Sequence, residues 1–264
     1  MIACARKTRR AAKLPKPYYR GGGQTIYCGD CRKILPLFEP ASVDLLLTDP
    51  PYAIRNRFGR TKTKTMLDGR PGYRILQFVW DHPDAADSVV AILRLAFSLT
   101  TPKASCFVFV GFDTAERYAS PAWEAGFVVK PAAWIKKCPP PAGYGTRWPS
   151  SFELAYYGYR RGAWFGDRDA KRRNAWVADS YRHGVPGKCG HRAQKPLSLI
   201  AMLLRSLAPD GGLVLDCFLG SGTTLVACKQ LGRRGIGIER ERKYCRMAAE
   251  RIEAAARNSN NGSE

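Results

Sequence analysis

Thr48-Asp49-Pro50-Pro51-Tyr52 decides how this chain is read. It follows Val43-Asp44-Leu45-Leu46-Leu47, an apolar run with the length of a buried strand. Two consecutive prolines cannot continue a sheet, because neither has the N–H that a ladder needs. The chain must therefore turn at the strand's end. The prolines stiffen that turn, so the Asp49 carboxylate, the Pro50 and Pro51 carbonyls and the Tyr52 ring form a rigid cluster. In open α/β sheets ligands bind at the carboxyl ends of strands. An acceptor, a stiff backbone and an aromatic face suit the grip of a planar base by its exocyclic amine. A packed core aromatic is the plainer reading of Tyr52, and it fits less well directly after a Pro-Pro turn.

The complementary half comes late. Gly212-Leu213-Val214-Leu215-Asp216 reads as a second strand, and Cys217-Phe218-Leu219-Gly220-Ser221-Gly222-Thr223-Thr224 opens a helix after it. Gly220 and Gly222 let the backbone approach a ligand, and the helix start offers free N–H groups. A further strand, Gly235-Ile236-Gly237-Ile238-Glu239, ends in an acid about 20 residues on, the spacing at which a carboxylate meets ribose hydroxyls in nucleoside-binding folds.

Together the two stretches resemble the S-adenosylmethionine-dependent amino-methyltransferases of DNA. In that family Asp-Pro-Pro-Tyr is the catalytic motif and Asp-x-Phe-x-Gly-x-Gly binds the cofactor. The catalytic motif comes first here, as in the permuted β-class of the family. Gln194-Lys195-Pro196 and Gly29-Asp30-Cys31 also match its pattern, and the resemblance extends over residues 24–252. It implies a Rossmann-like α/β methyltransferase fold: a mixed, mostly parallel sheet with an antiparallel edge hairpin and helices on both faces. It implies Asp49, Pro50, Pro51 and Tyr52 as catalytic residues. Asp30, Asp216, Phe218, Gly220, Gly222, Thr223, Thr224 and Glu239 become the S-adenosylmethionine contacts. Asp30 also reads as a simple helix cap, and Thr223 and Thr224 likewise.

The implied activity is transfer to adenine N6 in double-stranded DNA, with the base flipped out of the stack. Asp at the first motif position is commoner in the family's adenine enzymes and Ser in its cytosine ones. Cytosine N4 is the alternative within the same chemistry, since both targets are exocyclic amines. An RNA methyltransferase and a non-catalytic DNA-binding subunit of the same fold are the readings of other classes. The second has no use for intact Asp49, Tyr52 and glycine motifs. Ring-carbon methylation would need a cysteine nucleophile, and the chain has no Pro-Cys dipeptide.

Charge agrees with a polyanionic partner. The 264 residues carry 43 Lys and Arg against 22 Asp and Glu, a formal net charge of +21. Such an excess self-repels unless neutralised, and DNA is the obvious counterpart. Two basic segments are expected to contact it. Residues 53–77 form a long aperiodic stretch with Arg55 and Arg57. Residues 160–192 mix cations, among them Arg168, Lys171, Arg172 and Arg173, with aromatic rings. No separate recognition domain stands out, which points to a homodimer whose second subunit supplies DNA contacts.

The expected organisation is a basic flexible tail over residues 1–23, one methyltransferase domain over 24–257 and a polar tail over 258–264. Strands are expected at 24–28, 104–110 and 151–159, the last pairing antiparallel with one that starts at 126. Helices are expected at 31–38, 84–99, 113–124, 195–207 and 240–256. Nine scattered cysteines suit a reducing, cytoplasmic setting of bacterial or phage type. Cys28-Gly29-Asp30-Cys31 has the spacing of half a zinc site or of a redox pair. Cys138, Cys189, His183 and His191 supply no second pair at a standard interval, so no metal is expected. No apolar run is long enough to span a bilayer, and no membrane role is expected.

Overall fold

The computed structural model describes residues 13–53, 85–137, 151–166, 174–179, 189–191 and 193–260. Its centre is one nine-stranded sheet. The strands are β1 (Tyr19–Gly21), β2 (Gln24–Cys28), β3 (Val43–Thr48), β4 (Thr100–Val110), β5 (Val128–Lys136), β6 (Phe152–Tyr159), β7 (Ala175–Ala178), β8 (Leu213–Asp216) and β9 (Arg234–Glu239). They lie in the order β1-β2-β9-β8-β3-β4-β6-β5-β7. β2, β9, β8, β3 and β4 run parallel to one another. β6 is antiparallel to both β4 and β5, and its pairing with β5 is the edge hairpin expected from the sequence.

Alternation along the central strands explains why the sheet is covered on both faces. In β3, Leu46 points into one core and Leu45 and Leu47 into another. In β4, Cys106, Val108 and Val110 join the first, while Phe107 and Phe109 join the second. Period-two alternation of apolar side chains to both sides is the signature of a strand buried between layers. Helix α2 (Ala85–Ser98) closes the first core with Val89, Ile92, Leu93, Ala96 and Phe97, spaced to form one stripe. Helix α3 (Ala115–Glu124) adds Tyr118 and Ala122. Helix α4 (Leu197–Leu207) closes the second with Leu199, Ile200, Leu203, Leu204 and Leu207. Short α1 (Cys31–Ile34) follows β2, α5 (Thr223–Gln230) follows β8, and α6 (Arg242–Asn260) packs through Cys245, Ala248 and Ile252.

The structure differs from the expectations in three places. The loose tail expected up to residue 23 ends sooner, because Tyr19–Gly21 pairs antiparallel with β2. Gly22 and Gly23, both at positive φ, make the turn between the two strands, so these glycines shape a hairpin instead of loosening a tail. Within the basic segment 160–192, where no periodic pattern marks an element, Ala175–Ala178 adds a parallel strand to β5. The last helix continues to Asn260, past the expected start of the polar tail.

The order of connections places the site. From β3 the chain moves to β4 on one side, and from β8 it moves to β9 on the other. The switch point of the sheet therefore lies between β3 and β8, where open α/β sheets bind their ligands. The residues that follow those strands are Asp49 and the glycine loop.

Candidate active site

The Pro-Pro turn is braced from below. Tyr118 Oη of α3 donates to the Pro51 carbonyl at 2.7 Å, and Tyr156 Oη in turn donates to the Tyr118 carbonyl at 2.7 Å. Ala53 then takes φ 51°, a left-handed value that a non-glycine residue adopts only when held there. Gly111, just beyond β4, lies against the turn: a Cβ there would sit 3.0 Å from Tyr52 Cβ and 3.3 Å from the Tyr52 carbonyl.

This brace delivers Asp49 and Tyr52 into a charged cluster. Tyr52 Oη donates to Asp49 Oδ1 at 2.9 Å, and Glu153 Oε2 of β6 is a second acceptor at 3.3 Å. Lys195 Nζ, two residues before α4, reaches Asp49 Oδ2 at 2.5 Å and Glu153 Oε2 at 3.1 Å. It also lies 4.7 Å from the Phe109 ring centroid, close enough for a cation–π contact. Burial raises the proton affinity of Asp49, and the nearby Glu153 charge adds to that. Lys195 opposes both, and the carboxyl stays above its ordinary pKa. Burial likewise raises Glu153, but Lys195 and Lys136 outweigh it and hold this carboxyl low.

On the other side of the switch point, Asp216 is 4% exposed and fully engaged. Oδ1 accepts from Thr48 Oγ1 at 2.8 Å and from the Phe218 amide at 3.1 Å, and Oδ2 accepts from Thr224 Oγ1 at 2.7 Å. Thr48 directly precedes Asp49, so one buried hydrogen bond ties the two motifs together. Burial pushes the Asp216 carboxyl up to about 6, against the hydrogen bonds that hold it down. Phe218 packs half-buried on the first core. Thr223 Oγ1 takes Arg251 Nη1 at 3.1 Å and Ser221 Oγ at 3.1 Å. Both threonines are buried, and their hydroxyls bond protein partners. They do not cap α5, whose N-cap is Gly222 with no side-chain bond.

Gly220 at φ 51° and Gly222 at φ 79° shape the loop. Gly222 is also pressed on α6, where a Cβ would stand 2.6 Å from Ala248 Cβ. Glu239 anchors the loop from β9: Oε2 accepts from the Gly220 amide at 2.8 Å and Oε1 from the Glu241 amide at 2.7 Å. Burial raises its pKa, and those amides limit the rise. Asp30 follows neighbouring β2 and caps α1 by accepting from the Arg32 amide at 2.9 Å. Its carboxylate also pairs with the Arg32 guanidinium, which lowers its pKa. Asp30, Glu239, Asp216 and Asp49 thus succeed one another along the carboxyl edge of four adjacent strands.

The two cysteines of Cys28-x-x-Cys31 part ways. Cys31 is buried on the Cys217 carbonyl at 2.7 Å, whereas Cys28 is exposed beside the Arg240 carbonyl. Among the described residues no group of three or more His, Cys, Asp and Glu is placed to hold a metal, and no helix is long and apolar enough to cross a membrane. Arg55, Arg57, Arg168, Lys171, Arg172 and Arg173 lie outside the described residues. Sequence alone assigned no role to Lys195 or Glu153. The signals were there, in a lysine between Gln194 and Pro196 at the mouth of an apolar helix and in a lone acid in an aromatic strand.

A carboxyl-edge row of acids and a glycine loop at the switch point are the features of a nucleoside-binding α/β fold. Residues 43–250 match the DNA methylase family of N6 and N4 enzymes, and the chain belongs to that family. Type II methyltransferase M2.DpnII of Streptococcus pneumoniae is 26% identical over 259 residues, covering 91% of this chain and 94% of its own. The solved M1.HpyAVI–SAM complex is 25% identical with a TM-score of 0.68, over 87% of this chain and 98% of that one. PvuII DNA methyltransferase, described as cytosine-N4-specific, shares the fold at a TM-score of 0.69 and 19% identity, over 93% and 94%. The chain is thus an S-adenosylmethionine-dependent DNA methyltransferase acting on an exocyclic amine.

The site suits that cofactor. The Glu239 carboxylate, at the end of β9, accepts backbone N–H groups of Gly220, Glu241 and Arg240 and puts an acidic acceptor beside the glycine loop. The glycine loop brings backbone close by at a left-handed residue where a side chain would be strained.

Proposed function

We propose that the enzyme methylates adenine N6 in double-stranded DNA, on a base flipped into the cluster around Asp49. The observation that carries this reading is Asp49 itself, an acid at the first motif position, held at the switch point by Lys195 and Tyr52. Bound S-adenosylmethionine supplies an electrophilic methyl group. The chain's residues do the rest by positioning and electrostatics. The lone pair of an aromatic amine is delocalised into its ring. Asp49 and the Pro50 carbonyl accept the two amine hydrogens and favour a pyramidal nitrogen. The Pro51 carbonyl is already taken by Tyr118, which leaves Pro50 as the backbone partner. Tyr52 offers the extruded base a stacking face, which offsets part of the few kcal/mol of unstacking.

Glu239 takes the ribose hydroxyls, the Gly220 and Gly222 loop passes close to the cofactor, and Phe218 covers it. Asp216 works one step back: it ties Thr48 and Thr224 to the loop and fixes the Phe218 amide. Asp30 adds an acceptor for the adenosyl group while capping α1. Arg55, Arg57, Arg168, Lys171, Arg172 and Arg173 supply phosphate contacts, and a second copy of the chain completes the grip on DNA. The setting is a reducing cytoplasm, in keeping with free thiols at the seven described cysteines. Expression in a methylation-free host, followed by sequencing that detects modified bases, tests the assignment. N6-methyladenine at a fixed site is expected, and N4-methylcytosine there would replace adenine by the alternative base.

A further inference from the structure

Lys195, the buried cation that holds Asp49, makes further contacts in the site. Lys195 is 8% exposed, and its Nζ touches Asp49 Oδ2, Glu153 Oε2 and, at 3.3 Å, Tyr52 Oη. Lys136 Nζ holds the other Glu153 oxygen at 3.1 Å. Two carboxylates and one ammonium group therefore surround one phenol, with Lys136 behind Glu153. A buried ion pair adds little net stability, because desolvation offsets the attraction. Glu153 of β6 and Lys195 before α4 nevertheless converge on the Asp49–Tyr52 turn, which indicates a role in the reaction.

We propose that Lys195 and Glu153 are positioning residues for methyl transfer: Lys195 clamps Asp49 through Oδ2, and Glu153 draws the Tyr52 hydroxyl off Oδ1 as the target amine arrives. This rests on Asp49 being the acceptor of that amine. In the transfer the amine lone pair forms the N–C bond while the sulfonium C–S bond breaks, its electron pair staying on sulfur. The cationic nitrogen then gives one proton to Asp49 and becomes a neutral methylamine. Oδ1 already accepts the Tyr52 hydrogen, and Glu153 Oε2 is a second acceptor within reach of that hydroxyl. Turning the hydroxyl to Glu153 frees Oδ1, while Lys195 keeps the carboxylate from rotating.

The charged groups facing Asp49 are Lys195 and Glu153, with Lys136 acting through Glu153 and Asp216 lying behind on β8. Lys195 favours the ionised acceptor and Glu153 opposes it. Removing one or the other should therefore move the acid limb of the rate profile in opposite directions. Single-turnover methylation is measured against pH for Lys195→Met, Lys195→Arg, Glu153→Gln and Asp49→Ala, with S-adenosylmethionine affinity measured in parallel. Lys195→Met is expected to lose about tenfold or more in rate, with its acid limb moved to higher pH and partial recovery in Lys195→Arg. Glu153→Gln is expected to move the limb to lower pH. Cofactor affinity should stay within a few-fold throughout. Rates and limbs equal to wild type in both Lys195→Met and Glu153→Gln, beside an inactive Asp49→Ala, would overturn this inference alone. An active Asp49→Ala would overturn the catalytic assignment and this inference with it. If Lys195→Met does not fold, the direction of the limb in Glu153→Gln, a near-isosteric change at a side chain 22% exposed, decides the matter.

Discussion

Replacing Thr224 by valine removes one donor from a buried carboxylate and leaves the shape of the side chain almost unchanged. The donor is Thr224 Oγ1, 2.7 Å from Asp216 Oδ2, and Asp216 has a pKa of about 6 in the fold. A hydrogen bond to an ionised acceptor contributes about 1.5–3 kcal/mol, and one to a neutral group about 0.5–1.5. The ionised form therefore loses about 1–1.5 kcal/mol more than the protonated form. At about 1.4 kcal/mol per pKa unit, Asp216 should rise by about one further unit. Its folded pKa lies above that of an unfolded aspartate, about 3.9, so the native state binds the proton more tightly. The stability linked to this group is fully present below about pH 4, is lost as pH climbs through the folded pKa, and is level above it. In wild type that loss ends just above about pH 6, and in Thr224→Val it continues to about pH 7. The destabilisation by the variant should thus be about 1 kcal/mol at about pH 5 and about 2–3 kcal/mol at about pH 8. Urea unfolding at stepped pH, with an unchanged slope against denaturant, measures it. A destabilisation that does not vary with pH would refute the reasoning, since the hydroxyl would then not be addressing the charge of Asp216.

Asp49→Ala should abolish transfer and keep S-adenosylmethionine affinity within a few-fold, as measured by methylation assay and calorimetry on the same folded protein. Glu239→Ala should weaken the cofactor about tenfold or more, from loss of a charge-assisted bond of about 1.5–3 kcal/mol; an unchanged dissociation constant would remove Glu239 from the ribose. Gly222→Ala combines a left-handed φ with a Cβ 2.6 Å from Ala248 Cβ. It should destabilise the fold by about 2–5 kcal/mol, from about 1–2 of backbone strain and about 1–3 of overpacking, visible as a lower urea midpoint. Arg172→Ala with Arg173→Ala should flatten the salt dependence of DNA binding by about 0.9 in the log–log slope for each phosphate that is no longer neutralised. An identical slope would exclude those two side chains from the interface.

The parts of the fold that were legible in the sequence are those where one local cause decides. The apolar run of β3 stops at two prolines, so a turn follows, and the sequence between β5 and β6 carries prolines and glycines with no helical period, so an antiparallel pair is expected and found. β1 was hidden because its three residues carry no apolar alternation and sit between prolines and glycines. Their strand character comes from β2 alongside. β7, four residues long, is likewise set by its partner β5 rather than by its own pattern. At the site, Asp49, Tyr52, Gly220 and Glu239 could be placed from motif spacing. Thr223 and Thr224 could not be aimed, because a hydroxyl on the first turn of a helix serves a ligand or a neighbour equally well until Arg251 and Asp216 are seen beside them. Lys195 and Glu153 meet Asp49 only through α4 and β6, and no local pattern records such a meeting.

The pairing of β2 with β9 and of β3 with β8 also governs how the molecule is made. Gln24 lies against Gly235 and Leu46 against Leu215, so strands from the opening of the chain wait for partners from its close. On the ribosome, a nascent chain that stops before residue 213 has β3 paired on one edge only and β2 paired with nothing but β1. Unpaired edges of apolar strands invite aggregation, and contacts this distant along the chain slow folding. Asp49 and Tyr52 are therefore synthesised early and reach their assembled surroundings last. The interval between synthesis and assembly is when a growing chain of this kind most needs chaperone protection.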